Sequence, residues 1–176
     1  MLQRLFGSRP AVTAGRRLYL DAVAQARRPV FYARWGAPDT ADGRFELYAL
    51  HVILLLHRLK GAGDEAAETA QGLFDAYVKS LDDAMREAGV GDLSVGKKVR
   101  KLGESFMGRI KAYDAAFAKL PDRAALAEVV ARTVYDGDAH RAGPLTDYVA
   151  QAVARLEAES TATLLDGRAV WPETLG

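Results

Sequence analysis

Three histidines are the first places to look for chemistry in this chain, because histidine titrates near neutral pH and is the commonest metal ligand. They are His51, His57 and His140. None has a Glu three positions before it, the spacing with which helical bundles build carboxylate-bridged metal sites. His51 interrupts an apolar run from Leu47 to Leu56, a setting that predicts a core histidine held by a hydrogen bond. No cysteine is present, which removes thiolate nucleophiles and disulfides and fits a reducing compartment. Asp136-Gly137-Asp138 has the first residues of a cation loop without the further oxygen ligands of a calcium site, so it reads as a solvated turn. A Gly-rich phosphate loop, a zinc-binding helix and a nucleophile elbow are all missing from the sequence. The residue types assemble no catalytic set, no metal site and no cofactor site.

Charge placement says more than charge amount. Lys and Arg number 24 against 23 Asp and Glu, a net charge of +1, so no global attraction to nucleic acid is implied. Locally, Lys97, Lys98, Arg100 and Lys101 crowd the first turns of one expected helix, where the macrodipole favours acids. Asp82, Asp83 and Glu87 crowd the last turns of the helix before it, where the dipole favours bases. Each misplaced charge costs a few tenths of a kcal/mol. Either the two clusters meet across the intervening turn and neutralise each other, or the basic one holds an outside anion. That anion would be a phosphate, a lipid headgroup or an acidic protein segment.

The elements that must position these groups are helices throughout, with no convincing strand period. The first runs from about Thr13 to Ala26 and is ended by Pro29. Phe31 to Gly43 is rich in turn formers and reads as irregular, with Asp42 as the cap of the next helix. That helix, about Arg44 to Lys60, is apolar nearly all round and belongs at the centre of the fold. A third, Asp64 to Ala88, carries a stripe through Leu73, Phe74, Tyr77, Leu81 and Met85 that reads as core. After the turn Gly89–Asp92 the fourth shows Val95, Val99, Leu102, Phe106, Ile110, Tyr113 and Phe117 at steps of four and three. A shorter helix ends near Tyr135, and a last one runs from about Leu145 to Leu165. Trp171, in the tail, is expected to pack back on the body. The expectation is an all-α, single compact domain of six or seven helices: a flexible N-terminus over 1–12, a helical body over 13–166 and a tail over 167–176. The longest apolar run is about half the ~20 residues that a membrane span requires, so no transmembrane segment is expected.

Two stretches are familiar as a pair. One runs Phe31-Tyr32-Ala33-Arg34-Trp35-Gly36-Ala37-Pro38-Asp39-Thr40 and continues through Asp42-Gly43-Arg44-Phe45-Glu46 to Leu50-His51-Val52 and Leu56-His57-Arg58-Leu59. The other runs from Asp82-Asp83-Ala84-Met85-Arg86-Glu87 through Gly89-Val90-Gly91-Asp92 to Lys97-Lys98-Val99, ending at Gly108-Arg109 and Ala112-Tyr113. Together, over roughly residues 13 to 135, they resemble the ubiquinol–cytochrome c chaperone family, and its bacterial members more than its mitochondrial ones.

The resemblance implies a non-enzymatic assembly factor for the cytochrome bc1 complex. It would bind cytochrome b or another assembly intermediate, and would work near the inner membrane and the ribosome. It carries over no catalytic residues. Asp39, Arg44, Asp82, Asp83, Arg86, Lys97, Lys98, Lys101, Arg109 and Tyr113, within those stretches, are the expected client- or partner-binding set. A mitochondrial presequence is missing from the sequence, which points to a bacterial cytoplasm. An apolar client needs an apolar groove with a polar rim, and Trp35, Met85, Met107 and Tyr113 are candidates to line one. The competing reading is a helical carrier holding a quinone, haem or lipid. A small molecule retained in a native mass spectrum would distinguish the two.

Overall fold

A helix that is apolar on every face has to be enclosed, and the computed structural model, which describes residues 9–174, shows how. Its elements are α1 (Arg9–Ala26), a π-helical turn (Val30–Arg34), α2 (Ala41–Leu59), α3 (Asp64–Glu87), α4 (Asp92–Phe117), α5 (Ala124–Val134), α6 (Gly143–Ala158) and α7 (Thr161–Leu165). No strand occurs among the described residues. Seven consecutive residues of α2, Ala49 to Leu55, are buried. A run of that length covers all sides of the helix, and α1, α3, α4, α5 and α6 all touch it. The expected central helix is therefore central.

One polar group lies inside this apolar helix. His51 is fully buried. Its Nδ1 lies 2.8 Å from the Leu47 carbonyl and its Nε2 2.9 Å from the Tyr148 hydroxyl on α6. A carbonyl only accepts, so Nδ1 carries the proton and Nε2 accepts from Tyr148. Gln25 of α1 donates to the same hydroxyl at 3.0 Å. Phe31 and Trp171 meet the imidazole with their rings at 5.4 and 5.1 Å. Burial pushes the His51 pKa down to about 4, against a weaker upward pull from the Leu47 carbonyl.

Several boundaries differ from the sequence expectation, each for a local reason. Helix α1 starts at Arg9, four residues before the expected Thr13. Pro10 suits a first helical turn, and Ala11 and Ala14 are buried; residues 1–8 lie outside the described residues. Phe31 to Gly43 is not wholly irregular. Trp35 N–H reaches the Val30 carbonyl at 3.0 Å, and the wide turn carries the Phe31 ring into the core. Thr40, not Asp42, caps α2: its Oγ1 accepts from Gly43 N–H at 3.1 Å. Asp42 sits one step inside, where its charge suits the dipole.

The expected last helix is two. Arg58 of α2 donates to the carbonyls of Leu156 and Glu159 at 2.7 and 2.8 Å, and to Thr161 Oγ1 at 3.0 Å. A cation there stops α6 by satisfying its orphan carbonyls, and Ser160 starts α7 by capping Thr163 N–H. In the tail, Trp171 packs back as expected. Its indole N–H and the Ala169 N–H both donate to Asp21, at 3.3 and 3.1 Å.

Helices α1 and α3 approach more closely than side chains would permit. A Cβ on Gly15 would lie 2.4 Å from the Leu73 backbone nitrogen and 2.6 Å from the Thr69 carbonyl. Gly15→Ala therefore forces the pair apart, and a cost of about 1–3 kcal/mol is expected in chemical denaturation. An unchanged midpoint would refute that packing.

The buried imidazole makes a second expectation. The unfolded chain protonates it near pH 6.5 and the folded chain only near 4. Stability present above pH 6.5 is then lost as pH falls through that window, by on the order of 3 kcal/mol. In an NMR titration the His51 ring signals should stay those of neutral imidazole down to about pH 5. A midpoint near the ordinary value would refute the assignment.

Candidate functional site

Helices α3 and α4 form a hairpin whose turn is set by sequence. Val90 N–H reaches the Met85 carbonyl and Gly89 N–H the Arg86 carbonyl, both at 3.0 Å. Gly89 takes the left-handed conformation (φ 77°) that this pair of bonds requires. The hairpin closes over Phe106, which stacks near Tyr77 and Phe74 at 4.5 and 5.9 Å between ring centres. Farther from the turn, the end of α2 lies beside both helices and leaves part of the space between them open.

What remains is an open groove of about 550 Å³. Leu56 and Leu59 of α2 form its floor, Ala67, Ala70 and Phe74 one wall, and Met107 and Ile110 the other. Small alanines on one side and a flexible methionine on the other make an adaptable apolar surface. Met107 is 47 % exposed, unusual for so large an apolar side chain.

One end of the groove is polar. Asp114 of α4 accepts from His57 Nδ1 at 2.7 Å and from Lys60 at 2.8 Å, tying the end of α2 to α4. Burial raises the Asp114 carboxyl, but hydrogen bonds from Lys60 and His57 more than offset this and leave its pKa below the ordinary carboxylate value. The His57 ring stands edge-on to Phe117 at 4.8 Å. An apolar trough with a charged rim can hold apolar side chains and orient one polar end. No group of three His, Cys, Asp or Glu side chains able to hold a metal occurs among the described residues.

The residues expected to bind a partner are scattered. Arg44 pairs with Asp39 at 2.7 Å on an exposed corner. Asp82 pairs with Arg86 at 2.6 Å and Asp83 with Lys79 at 2.7 Å, all along α3. These acids do not reach across the turn to the lysines. Lys97, Lys98, Arg100 and Lys101 are exposed, and among the described residues none of the four forms an ion pair. Arg109 makes a two-pronged bond to Glu46 of α2, Nε to Oε2 at 2.7 Å and a second from its terminal nitrogen to Oε1.

Tyr113 is 1 % exposed, and its hydroxyl binds Thr133 at 2.8 Å. Thr133 gives its own proton to the Val129 carbonyl, so Tyr113 donates, and burial pushes its phenol up. It anchors α5 on α4 and presents no surface. Of the four groove candidates only Met107 lines the groove, while Trp35 packs on Phe31 at 5.2 Å and Met85 is half-buried near the hairpin turn. Phe74, His57, Lys60 and Asp114 were not foreseen as groove residues. The signal for them is thin: a His and a Lys three apart closing an apolar helix, and an Asp on the otherwise apolar side of another.

Comparison with known proteins gives a consistent result. The family described as "Ubiquinol-cytochrome C chaperone" matches residues 33–171. That span reaches into the last quarter of the chain, where the sequence motifs had offered little. The crystal structure of the Cbp3 homolog from Brucella abortus is 36 % identical and superposes with a TM-score of 0.84, covering 98 % of this chain and 97 % of that one. The ubiquinol-cytochrome-c reductase complex assembly factor 1 of Xenopus laevis is 24 % identical over 162 residues, 90 % of this chain and 80 % of that protein.

The Arg109–Glu46 pair fixes the angle between α2 and α4, and both partners are more than three-quarters buried. Arg109→Ala strands the Glu46 carboxylate and should cost about 2 kcal/mol. Arg109→Met with Glu46→Leu should recover most of it, because apolar replacements leave no orphan charge. A double-mutant cycle in urea measures both, and strict additivity would show that the pair is not coupled.

Proposed function

This chain belongs to the ubiquinol–cytochrome C chaperone family, and from that premise we propose that it is an assembly chaperone for the cytochrome bc1 complex. The match to residues 33–171 carries this reading, and the name of the Xenopus relative as a reductase complex assembly factor agrees with it. The client is cytochrome b or another apolar segment of an assembly intermediate, held in the groove between α3 and α4. No step of catalysis is part of the proposal.

The physical case is one of matching. A segment destined for the membrane exposes apolar side chains that aggregate in water. A groove lined by Phe74, Met107 and Ile110 takes them out of water at about 25 cal/mol per Å². Because the groove is open along its length, a helix enters sideways without the core opening. The work is proposed for the cytoplasmic side of the inner membrane, where such a client inserts. No helix among the described residues is long and apolar enough to cross a membrane.

A carrier of quinone, haem or lipid rests on the groove's size, which falls within the range of small-molecule sites. A native mass spectrum of protein from its own host separates the readings, since only a carrier retains a small molecule.

Deletion of the protein should lower assembled bc1 complex and cytochrome b several-fold while leaving their transcripts unchanged. Met107→Glu, at an exposed position that tolerates charge, should fold normally and fail to restore the complex. Normal quinol–cytochrome c reductase activity in the deletion strain, grown where that activity is required, would refute the function. Full rescue by Met107→Glu would refute the groove.

A further inference from the structure

The outward face of the first turns of α4 lines no part of the groove between α3 and α4. Lys97, Lys98, Arg100 and Lys101 are all exposed there, while Val95 and Phe106 face the interior. At 100° per residue the four cations spread over roughly 160° of the helix, opposite its buried side. Gly91 gives α4 no side-chain cap, and these cations stand near the positive end of its dipole. Their nearest acidic cluster on α3 is engaged with its own helix, Asp82 with Arg86 and Asp83 with Lys79.

The partner that this face fits is anionic, broad and undemanding of geometry. Residues 94–104 contain no aromatic side chain, so the stacking platform of a single-stranded nucleic-acid site is missing. The four cations line an open hollow along one helix with Ser94 and Glu104, and no large apolar side chain is among its lining, unlike the hot spots that hold an acidic peptide. Mobile lipid headgroups adapt to an array of cations spread along a helix, and a cluster of four to eight basic residues is enough to collect them. A chain of net charge +1 that concentrates four positive charges here is net negative elsewhere. An anionic surface therefore attracts this face and repels the rest, which fixes orientation.

We propose that the Lys97–Lys101 face of α4 docks the protein peripherally on an anionic lipid bilayer. Met107 and Ile110 of the groove lie two to three turns farther along the same helix. A protein docked this way holds the groove beside the membrane.

The test is flotation of the full-length protein with vesicles of phosphatidylcholine alone or mixed with phosphatidylglycerol, at low and at high salt. The protein should float with the anionic vesicles only, and less at high salt. Each cation is worth about five-fold in partitioning, so all four are changed together, as Lys97→Gln, Lys98→Gln, Arg100→Gln and Lys101→Gln. That variant should lose binding by more than about a hundred-fold with an unchanged or higher Tm. Removing the same charge from Lys119, Arg123, Arg132 and Arg155 should leave binding intact.

Retained binding in the α4 variant, or equal loss in the control, overturns the proposal. So does failure of the wild-type protein to bind anionic vesicles, including the case in which the same face retains RNA or an acidic peptide instead. No client is present in the assay, so its outcome is independent of the chaperone reading.

Discussion

An imidazole without access to water has to find all its partners inside the protein, and His51 finds them in a way that joins three helices. Its own helix supplies the Leu47 carbonyl, α6 the Tyr148 hydroxyl, and α1 the Gln25 amide that steadies that hydroxyl. Leaving any of these groups unmet would cost about 1–3 kcal/mol, so the relative positions of α1, α2 and α6 are not free to drift. Apolar packing alone tolerates sliding and repacking; a chain of directional bonds does not. The aromatic shell of Phe31, Tyr148 and Trp171 excludes water and keeps the imidazole neutral. The tail carrying Trp171 is held in turn by Asp21 of α1.

The electrostatic arrangement divides the molecule in two. Around α2, charges are paired across helices and partly buried, as in Glu46–Arg109 and the His57–Asp114–Lys60 cluster. Near the turn of the α3–α4 hairpin, Asp82 and Asp83 pair with neighbours on their own helix, and such exposed pairs are worth about 0–1 kcal/mol. The first kind of pairing sets angles between helices. The second leaves the surface available to outside partners, and Lys97, Lys98, Arg100 and Lys101, which form no ion pair among the described residues, are its extreme case.

Much of the body was legible in the sequence because helical period and burial are one signal. The apolar run of α2, the steps of four and three along α4, and the identification of His51 as a core residue all followed from spacing. What escaped depended on contacts distant in sequence. The division of α6 from α7 comes from Arg58, about a hundred positions away. The cap of α2 could not be settled by residue type, since Thr40 and Asp42 are both good caps and only backbone geometry chooses. The groove is a gap between three helices, and no single helix announces it. Tyr113 looked like a surface candidate within a family motif because its stripe gave no hint that α5 covers it.

The glycines of α4 have a bearing on how the groove works. A side chain at Gly96, Gly103 or Gly108 would meet nothing within 4 Å, so packing does not require glycine at these places. Each weakens a helix by about 1 kcal/mol relative to alanine, while the floor beneath, α2, is buried over seven consecutive residues. Around these glycines the outer face of α4 should therefore loosen before α2 does, with its amides exchanging with solvent earlier. A groove with a softer wall than floor would adjust its width to side chains of different bulk while leaving the core unchanged.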